Sequence, residues 1–498
     1  MHTYIIAALN RQCEKQPDAL ALIGEQHVLS YQDLCSGIQR LSALLRTFPA
    51  KTIGLALDNS PLWVVLDLAG LAAGKTIIPL PSFFSAEQIS HSIRDAGITC
   101  ILTDQPDLYQ EILTTGNIED EATFAHIISG QEITEFRLSN IPAKTLPAGT
   151  VKVTYTSGTT GHPKGVCLSA ESLHKVAASL LAATKGALGD QHVSVLPLST
   201  LLENLAGVYV PLLAGATCHL LPQATVGLSG SSGLDVQKML TALIKCRATT
   251  TILTPQLLHA AVAAIEAGHP APGQLRFIAI GGASVSERLL QRAQALGLPV
   301  FEGYGLSECC SVVSLNTESD RLIGSVGKPL PHTSLKFSDE GEILVRGATL
   351  LGYTGGDPVP AETFWPTGDI GYLDDNGFLH LTGRKKNIFI TSFGRNVSPE
   401  WVERELTLHP AIAQAAVFGE ARPWNVAVIV PRGNSPEAAI DQAIAEANLV
   451  LPDYAQVKCW LPAKAPFLPQ NGQLTANGRL KREAIWAQYQ TGIEQLYP

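Results

Sequence analysis

Short runs of β-branched and apolar residues alternate along this chain with stretches of helical periodicity, and that alternation narrows the fold more than any other feature. TIGLAL (52–57), TCILTD (99–104), HVSVLPL (192–198), TTTILT (249–254) and FIAIGG (277–282) each have the length and composition of a buried strand. Helical patterns such as Leu289 to Leu296 lie between them. Such a succession predicts βαβ units, hence an α/β fold with parallel or mixed sheets and helices on both faces. At 498 residues the chain is also too long for a single core.

The texture changes near Leu335. LKFSDEGEILVRG and YLDDNGFLHLTGR read as hairpins that turn at Glu-Gly and Asn-Gly, forming a β-rich subdomain that closes the large N-terminal part. After GRKKNIFITSFGRNVSP comes a smaller α+β segment, with helices over 400–408 and 436–447 and strands over 413–419 and 426–431. The domain boundary is expected between Gly383 and Lys386, giving an N-terminal domain over 1–382 and a C-terminal domain over 383–498. GLSGSSG at 227–233 reads as an exposed loop.

Charge and hydropathy exclude several function classes. The 35 basic and 44 acidic residues are scattered, and the net charge of −9 offers no surface for nucleic acid. Apolar runs such as Leu62 to Ala73 and Val208 to Ala216 are broken by Asp, Gly or Pro well short of the roughly 20 residues that span a bilayer. Tyr4, Ile5, Ala8 and Leu9 repeat at helical spacing, which makes the opening an amphipathic helix rather than a signal peptide. The expectation is a soluble, cytoplasmic protein that a fatty substrate could bring into peripheral membrane contact. The nine cysteines show no CxxC spacing, and Cys309 and Cys310 are adjacent, so reduced thiols are expected rather than a zinc site or a disulfide framework.

The most informative stretch is TYTSGTTGHPKGV, Thr154 to Val166, which follows the strand-like Val151 to Val153. Gly158, Gly161 and Gly165 let the backbone bend and bring its N–H groups to anionic oxygens. Thr156, Ser157, Thr159 and Thr160 add hydroxyl donors, and Lys164 adds positive charge. The order is not that of a Walker A loop, because Pro163 precedes Lys164 and Gly165 and Val166 follow it. The segment resembles the phosphate loop of the adenylate-forming superfamily, which includes acyl-CoA synthetases, luciferases and the adenylation domains of peptide synthetases.

Further motifs of that superfamily occur in its order. GGAS (281–284) follows the strand FIAI and resembles the adenine-binding turn, which implies nucleotide contacts for Gly282 and Ala283. EGYGLSE (302–308) implies that Tyr304 stacks on adenine beside Gly305, that Ser307 stands near the phosphate where relatives often carry Thr, and that Glu308 helps hold Mg²⁺. TGD (367–369) implies that Asp369 accepts from the ribose hydroxyls, with Arg384 of GRKKN (383–387) nearby. By the same resemblance Lys386 falls at a hinge about which a mobile C-terminal domain turns. SFGRN (392–396) would then line a pantetheine tunnel, with Gly394 admitting close backbone approach.

Two positions depart from the pattern. LTANGRLKR (474–482) resembles the segment that carries the adenylation lysine, but Arg479 occupies its place, and Lys481 could replace it only if the loop shifts. Thr200 stands where many relatives carry a histidine or an aromatic residue. Around the expected acid pocket lie Leu201, Leu202, Leu205, Val208, Val210, Val312, Val313 and Leu315, without a charged anchor, which favours a fatty acid. The implied function is ATP- and Mg²⁺-dependent formation of acyl-AMP with release of pyrophosphate, followed by thioester formation with CoA. The catalytic set would be Lys164, Ser307, Glu308 and Arg479. The alternatives are acyl transfer to a carrier protein, closure of a β-lactone, and a nucleotide-binding relative without turnover.

Overall fold

The structure is a computed structural model. It describes residues 4–116, 118–128, 131–142, 144–156, 163–230, 233–475 and 478–497, with the backbone alone for 120–128. Among these residues the strands form a nine-stranded, an eight-stranded, a four-stranded and a three-stranded sheet, with two small two-stranded ladders. Strands Gln191–Val193, Thr250–Leu253, Phe277–Ile280 and Val300–Tyr304 run parallel, side by side, in the nine-stranded sheet. In the eight-stranded sheet, Thr52–Ala56, Thr76–Pro79 and Cys100–Thr103 are parallel, and Thr150–Thr156 pairs antiparallel with Lys164–Ser169. Ile53 and Leu55 of one sheet and Leu22, Cys218 and Phe277 of the other contribute to a single core.

The helix Pro61–Ala73 runs through this core. Ser60 caps its first turn by accepting from the Trp63 N–H, Pro61 begins it, and Gly74 ends it in the left-handed conformation. Buried on every face, it carries an acid, Asp67, into the interior. Lys152 of Thr150–Thr156 meets that acid, its ammonium lying 2.8 and 2.9 Å from the two carboxylate oxygens. Tyr209 and Asn204, on a π-helical turn over Glu203–Tyr209, donate to the same carboxylate at 2.7 and 3.0 Å. Lys152, Thr154 and Thr156 share one strand face, so the cluster links the phosphate-loop strand to the π-helical segment.

Both hairpins of the β-rich subregion form, Thr333–Phe337 with Glu342–Gly347 and Trp365–Leu373 with Leu379–Arg384. The C-terminal part has a sheet of Ile412–Phe418, Asn425–Pro431 and Val457–Pro462. Its core holds Val402, Ile412, Ile429, Ile440 and Val457. Helices Pro399–Thr407 and Glu437–Asn448 match the expected ones to within a residue or two.

Two readings of the sequence are corrected. Cys13 and Cys35 are joined as a disulfide between helices Tyr4–Lys15 and Tyr31–Thr47, where reduced thiols were expected. Helical periodicity brings the two helices together, but it does not say which of their residues meet. The 227–233 stretch is not wholly irregular either, since Leu228–Ser229 pairs with Gly233–Leu234. Among the described residues no helix is long and apolar enough to cross a membrane.

Candidate active site

A cavity of about 620 Å³ opens where the two large sheets, the β-rich subregion and the C-terminal part meet. The strands Thr150–Thr156 and Lys164–Ser169 approach it as an antiparallel pair in which Thr156 faces Lys164, the glycine-rich segment following the first strand in the chain. Ser157, Gly158, Thr159, Thr160 and Gly161 lie outside the described residues. Thr156 and Lys164 both line the cavity, and the Lys164 ammonium lies 5.6 Å from the Tyr353 ring centroid. Tyr353 in turn donates to Glu308 Oε1 at 3.0 Å.

The strand Val300–Tyr304 brings in the next group. Tyr304 is buried, and its hydroxyl donates to Asp369 Oδ2 at 2.7 Å, while Arg384 Nε lies 2.7 Å from Asp369 Oδ1. Burial pushes the Asp369 carboxyl up, and Arg384, Tyr304 and Arg479 oppose that shift. Gly305 is needed because a Cβ there would lie 1.6 Å from the Ser311 carbonyl oxygen, so the backbone folds back on itself below Ser307 and Glu308. Gly282, at φ +88°, turns with open space where a side chain would stand.

Arg479 reaches the site from the C-terminal part and donates through Nη2 to the Gly282 carbonyl at 3.1 Å. Crowding by protein and by Arg384 lowers its proton affinity, and Asp369, Glu308 and Glu400 oppose that effect. Arg479 is exposed, and it lines the cavity together with Arg384 and Lys386. Burial and the nearby Arg384 likewise pull the Lys386 ammonium down.

Not every expected residue is gathered here. Ala283 is exposed beside the turn and does not line the cavity. Gly394 stands apart on the exposed tip of the hairpin Phe389–Ile390 with Asn396–Val397, next to Phe393, which is 74% exposed. Leu201, Leu202, Val210, Val312 and Leu315 line the cavity as expected, as does Thr200, whereas Leu205, Val208 and Val313 point into the cores. The cavity also touches His192, Asp190 and Arg276 at the nine-stranded sheet and Tyr353 on the eight-stranded one, none of which carries a motif.

Among the described residues, no group of three or more His, Cys, Asp or Glu gathers to hold a metal ion. Magnesium bound through one carboxylate and the substrate's own phosphates needs no such cage, and a cavity-facing Glu308 suits that arrangement.

Glu302, two residues before Tyr304 on the same strand, gives the fold a pH signature. Its carboxyl accepts weakly from the Val285 N–H at 3.4 Å, and burial pushes it up to about 7 against the pull of Arg404. An acid whose folded value lies above its ordinary 4.5 keeps its proton better in the fold than in the unfolded chain. Stability therefore falls as pH rises from that value through 7. Glu302→Gln is expected to match the parent below that window and to exceed it by up to about 3 kcal/mol above, read as denaturation midpoints against pH.

Sequence comparison decides the lineage. The family model of AMP-binding enzymes matches residues 9–354, and that of the AMP-binding enzyme C-terminal domain matches 386–498. This chain belongs to the AMP-binding enzyme family. The family model's description makes it an AMP-binding enzyme. It is 27% identical to the long-chain-fatty-acid–CoA ligase FadD15 of Mycobacterium bovis, over 87% of this chain and 86% of that one. It is 28% identical to the 2-succinylbenzoate–CoA ligase of Bacillus licheniformis, over 82% and 86%. Solved structures share the fold. The anthranilate CoA ligase AuaEII in complex with anthranoyl-AMP superposes with a TM-score of 0.80 at 18% identity, covering 99% of both chains. The o-succinylbenzoate CoA synthetase of Bacillus subtilis, in complex with ATP and magnesium ion, gives 0.74 at 23%, covering 96% of this chain and 98% of that one.

Proposed function

We propose that this AMP-binding enzyme activates an apolar, fatty carboxylic acid with ATP and transfers the acyl group to the thiol of CoA. The observation that carries the reading is that one cavity joins Lys164, Glu308, Arg384 and Arg479 to a channel lined by Leu201, Leu202, Val210, Val312 and Leu315. A nucleotide at the charged end and an acid in the apolar channel would present the carboxylate to the α-phosphate.

In the first half-reaction a carboxylate oxygen attacks the α-phosphorus, and the bond to the bridging oxygen of pyrophosphate breaks. Lys164 and the loop before it would bind the phosphates, and Ser307 would add a hydroxyl. The Tyr304–Asp369–Arg384 chain of hydrogen bonds would fix the nucleoside, with Asp369 facing the ribose. Glu308 would hold Mg²⁺, which neutralises phosphate charge when bound. Arg479 would offset the charge that builds as carboxylate and phosphate meet. In the second half-reaction a thiolate attacks the acyl carbon and AMP leaves. The exposed hairpin carrying Gly394 would then turn toward the cavity about a hinge near Lys386, separating domains over 1–382 and 383–498.

The test is pyrophosphate release across saturated fatty acids of graded length, with and without CoA, the products being identified by mass spectrometry. Release that depends on ATP, Mg²⁺ and acid, with a thioester formed only when CoA is present, is the expected result. A lactone or acyl-AMP without thioester would redirect the second step to another acceptor, and no release with any acid would overturn the proposal.

A further inference from the structure

The wall at the far end of the acid channel differs chemically from its sides. The channel runs along one face of the nine-stranded sheet, where Thr250, Phe277 and Ala279 alternate inward, beneath the π-helical segment and helix Val210–Ala214. It touches Gly281 at the carboxyl end of the strand Phe277–Ile280 and Arg276 at the amino end. At about 3.3 Å per residue that path is roughly 16 Å long. The channel thus crosses the full depth of the sheet.

An ion pair stands at its end. Arg276 Nε donates to Asp190 Oδ1 at 2.7 Å, Nη2 pairs with Asp190 Oδ2, and Nη1 donates to the Thr184 carbonyl at 2.9 Å. The Ala187 N–H and the Thr249 hydroxyl, each at 2.9 Å, complete the Asp190 shell. The Arg276 side chain is 36% exposed and that of Asp190 only 8%, so the pair separates the channel from solvent. Each nitrogen of the Arg276 guanidinium already has an acceptor, which leaves the pair poorly suited to capturing a second carboxylate.

Resting on the fatty-acid reading above, we infer that the Arg276–Asp190 pair is the end stop of the acyl channel. It limits the substrate to a monocarboxylic acid with an apolar tail of roughly a dozen carbons, given C–C bonds of about 1.5 Å laid in a zigzag along roughly 16 Å. A longer tail meets a satisfied ion pair that it cannot enter without breaking. A tail ending in a carboxylate meets a guanidinium whose charge is already paired with Asp190 and whose three nitrogens each donate to a protein oxygen.

Two variants with opposite effects test this, read as the ratio of kcat/KM for an acid of about sixteen carbons to that for one of about eight within each variant, so that losses common to all acids cancel. Arg276→Ala is expected to raise the ratio about tenfold by opening the channel to solvent, about one methylene's worth of discrimination. Ala214→Phe fills the channel next to Gly186, where a Cβ would stand 3.2 Å from that of Ala214, and is expected to lower the ratio by a similar factor. A ratio that moves in neither variant, or a parent that prefers the dicarboxylic acid of matching length, overturns the end stop. Calorimetric Kd values for the same acids give the ceiling without turnover. Absence of turnover therefore counts against the functional proposal alone, while the Kd ceiling still decides the end stop.

Discussion

Exchanging Arg479 for lysine is expected to slow pyrophosphate release about tenfold, and exchanging it for alanine a hundredfold or more. The site is built around a guanidinium. Nη2 is committed to the Gly282 carbonyl, which leaves the rest of a planar fork near Asp369 and Glu308, where the proposed reaction would place the phosphates. A lysine ammonium is a single point with three donors and cannot hold that carbonyl while meeting two oxyanions elsewhere. Alanine removes the charge as well, and the loss of one preorganised donor at a site of developing charge costs on the order of a hundredfold to a thousandfold. Initial rates at saturating ATP and acid separate this from nucleotide affinity. A faster Arg479→Lys enzyme would mean that the arginine is a poor substitute for a lysine rather than a residue to which the site has adapted.

Lys152→Met is expected to destabilise the protein by roughly 3 to 5 kcal/mol, the range seen when one partner of a buried pair is removed. The Lys152 and Asp67 side chains are 1% and 0% exposed, and Asn204 and Tyr209 donate to the same carboxylate, so the variant strands a buried acid with two neutral donors. Methionine restores most of the volume, so the loss reports charge rather than a cavity. The double variant Asp67→Leu with Lys152→Met is expected to recover much of it, because neither charge remains to be desolvated. Denaturant midpoints of the two single variants and the double one form the cycle. A double variant as unstable as the sum of the singles would show that the pair is not coupled.

How much of this could be read from sequence followed from what each feature depends on. The strands Thr52–Ala56, Thr250–Leu253 and Phe277–Ile280 were legible because burial on both faces demands unbroken apolar and β-branched runs. The hairpins announced themselves at Glu340-Gly341 and Asn376-Gly377. Lys164, Tyr304, Glu308 and Arg384 sit in contiguous motifs, so their gathering at one cavity was expected, while Asp369 is buried against Tyr304 and Arg384 and does not line the cavity itself. What stayed hidden depends on distant partners. Arg276 finds Asp190 across 86 residues and Lys152 finds Asp67 across 85, and neither pair marks its local sequence. Leu205, Val208 and Val313 could not be told from Leu201 or Val312 by composition, because which face looks into the channel is fixed only when the helices dock. The π-helical turn left no signal of its own.

The arrival of Arg479 from the C-terminal part also sets an order on the making of the enzyme. Ribosomal synthesis delivers Lys164, Tyr304, Glu308 and Asp369 before the three-stranded C-terminal sheet exists. Arg479 emerges roughly 90 residues after Lys386, which at about 5 to 20 residues per second is a delay of roughly 5 to 20 s. During that interval a nascent chain can shape a nucleotide pocket but lacks the guanidinium that bridges to Gly282. On the proposed function, the first half-reaction therefore waits on the folding of the last core, and a prematurely terminated chain would lack the arginine that the reaction calls on.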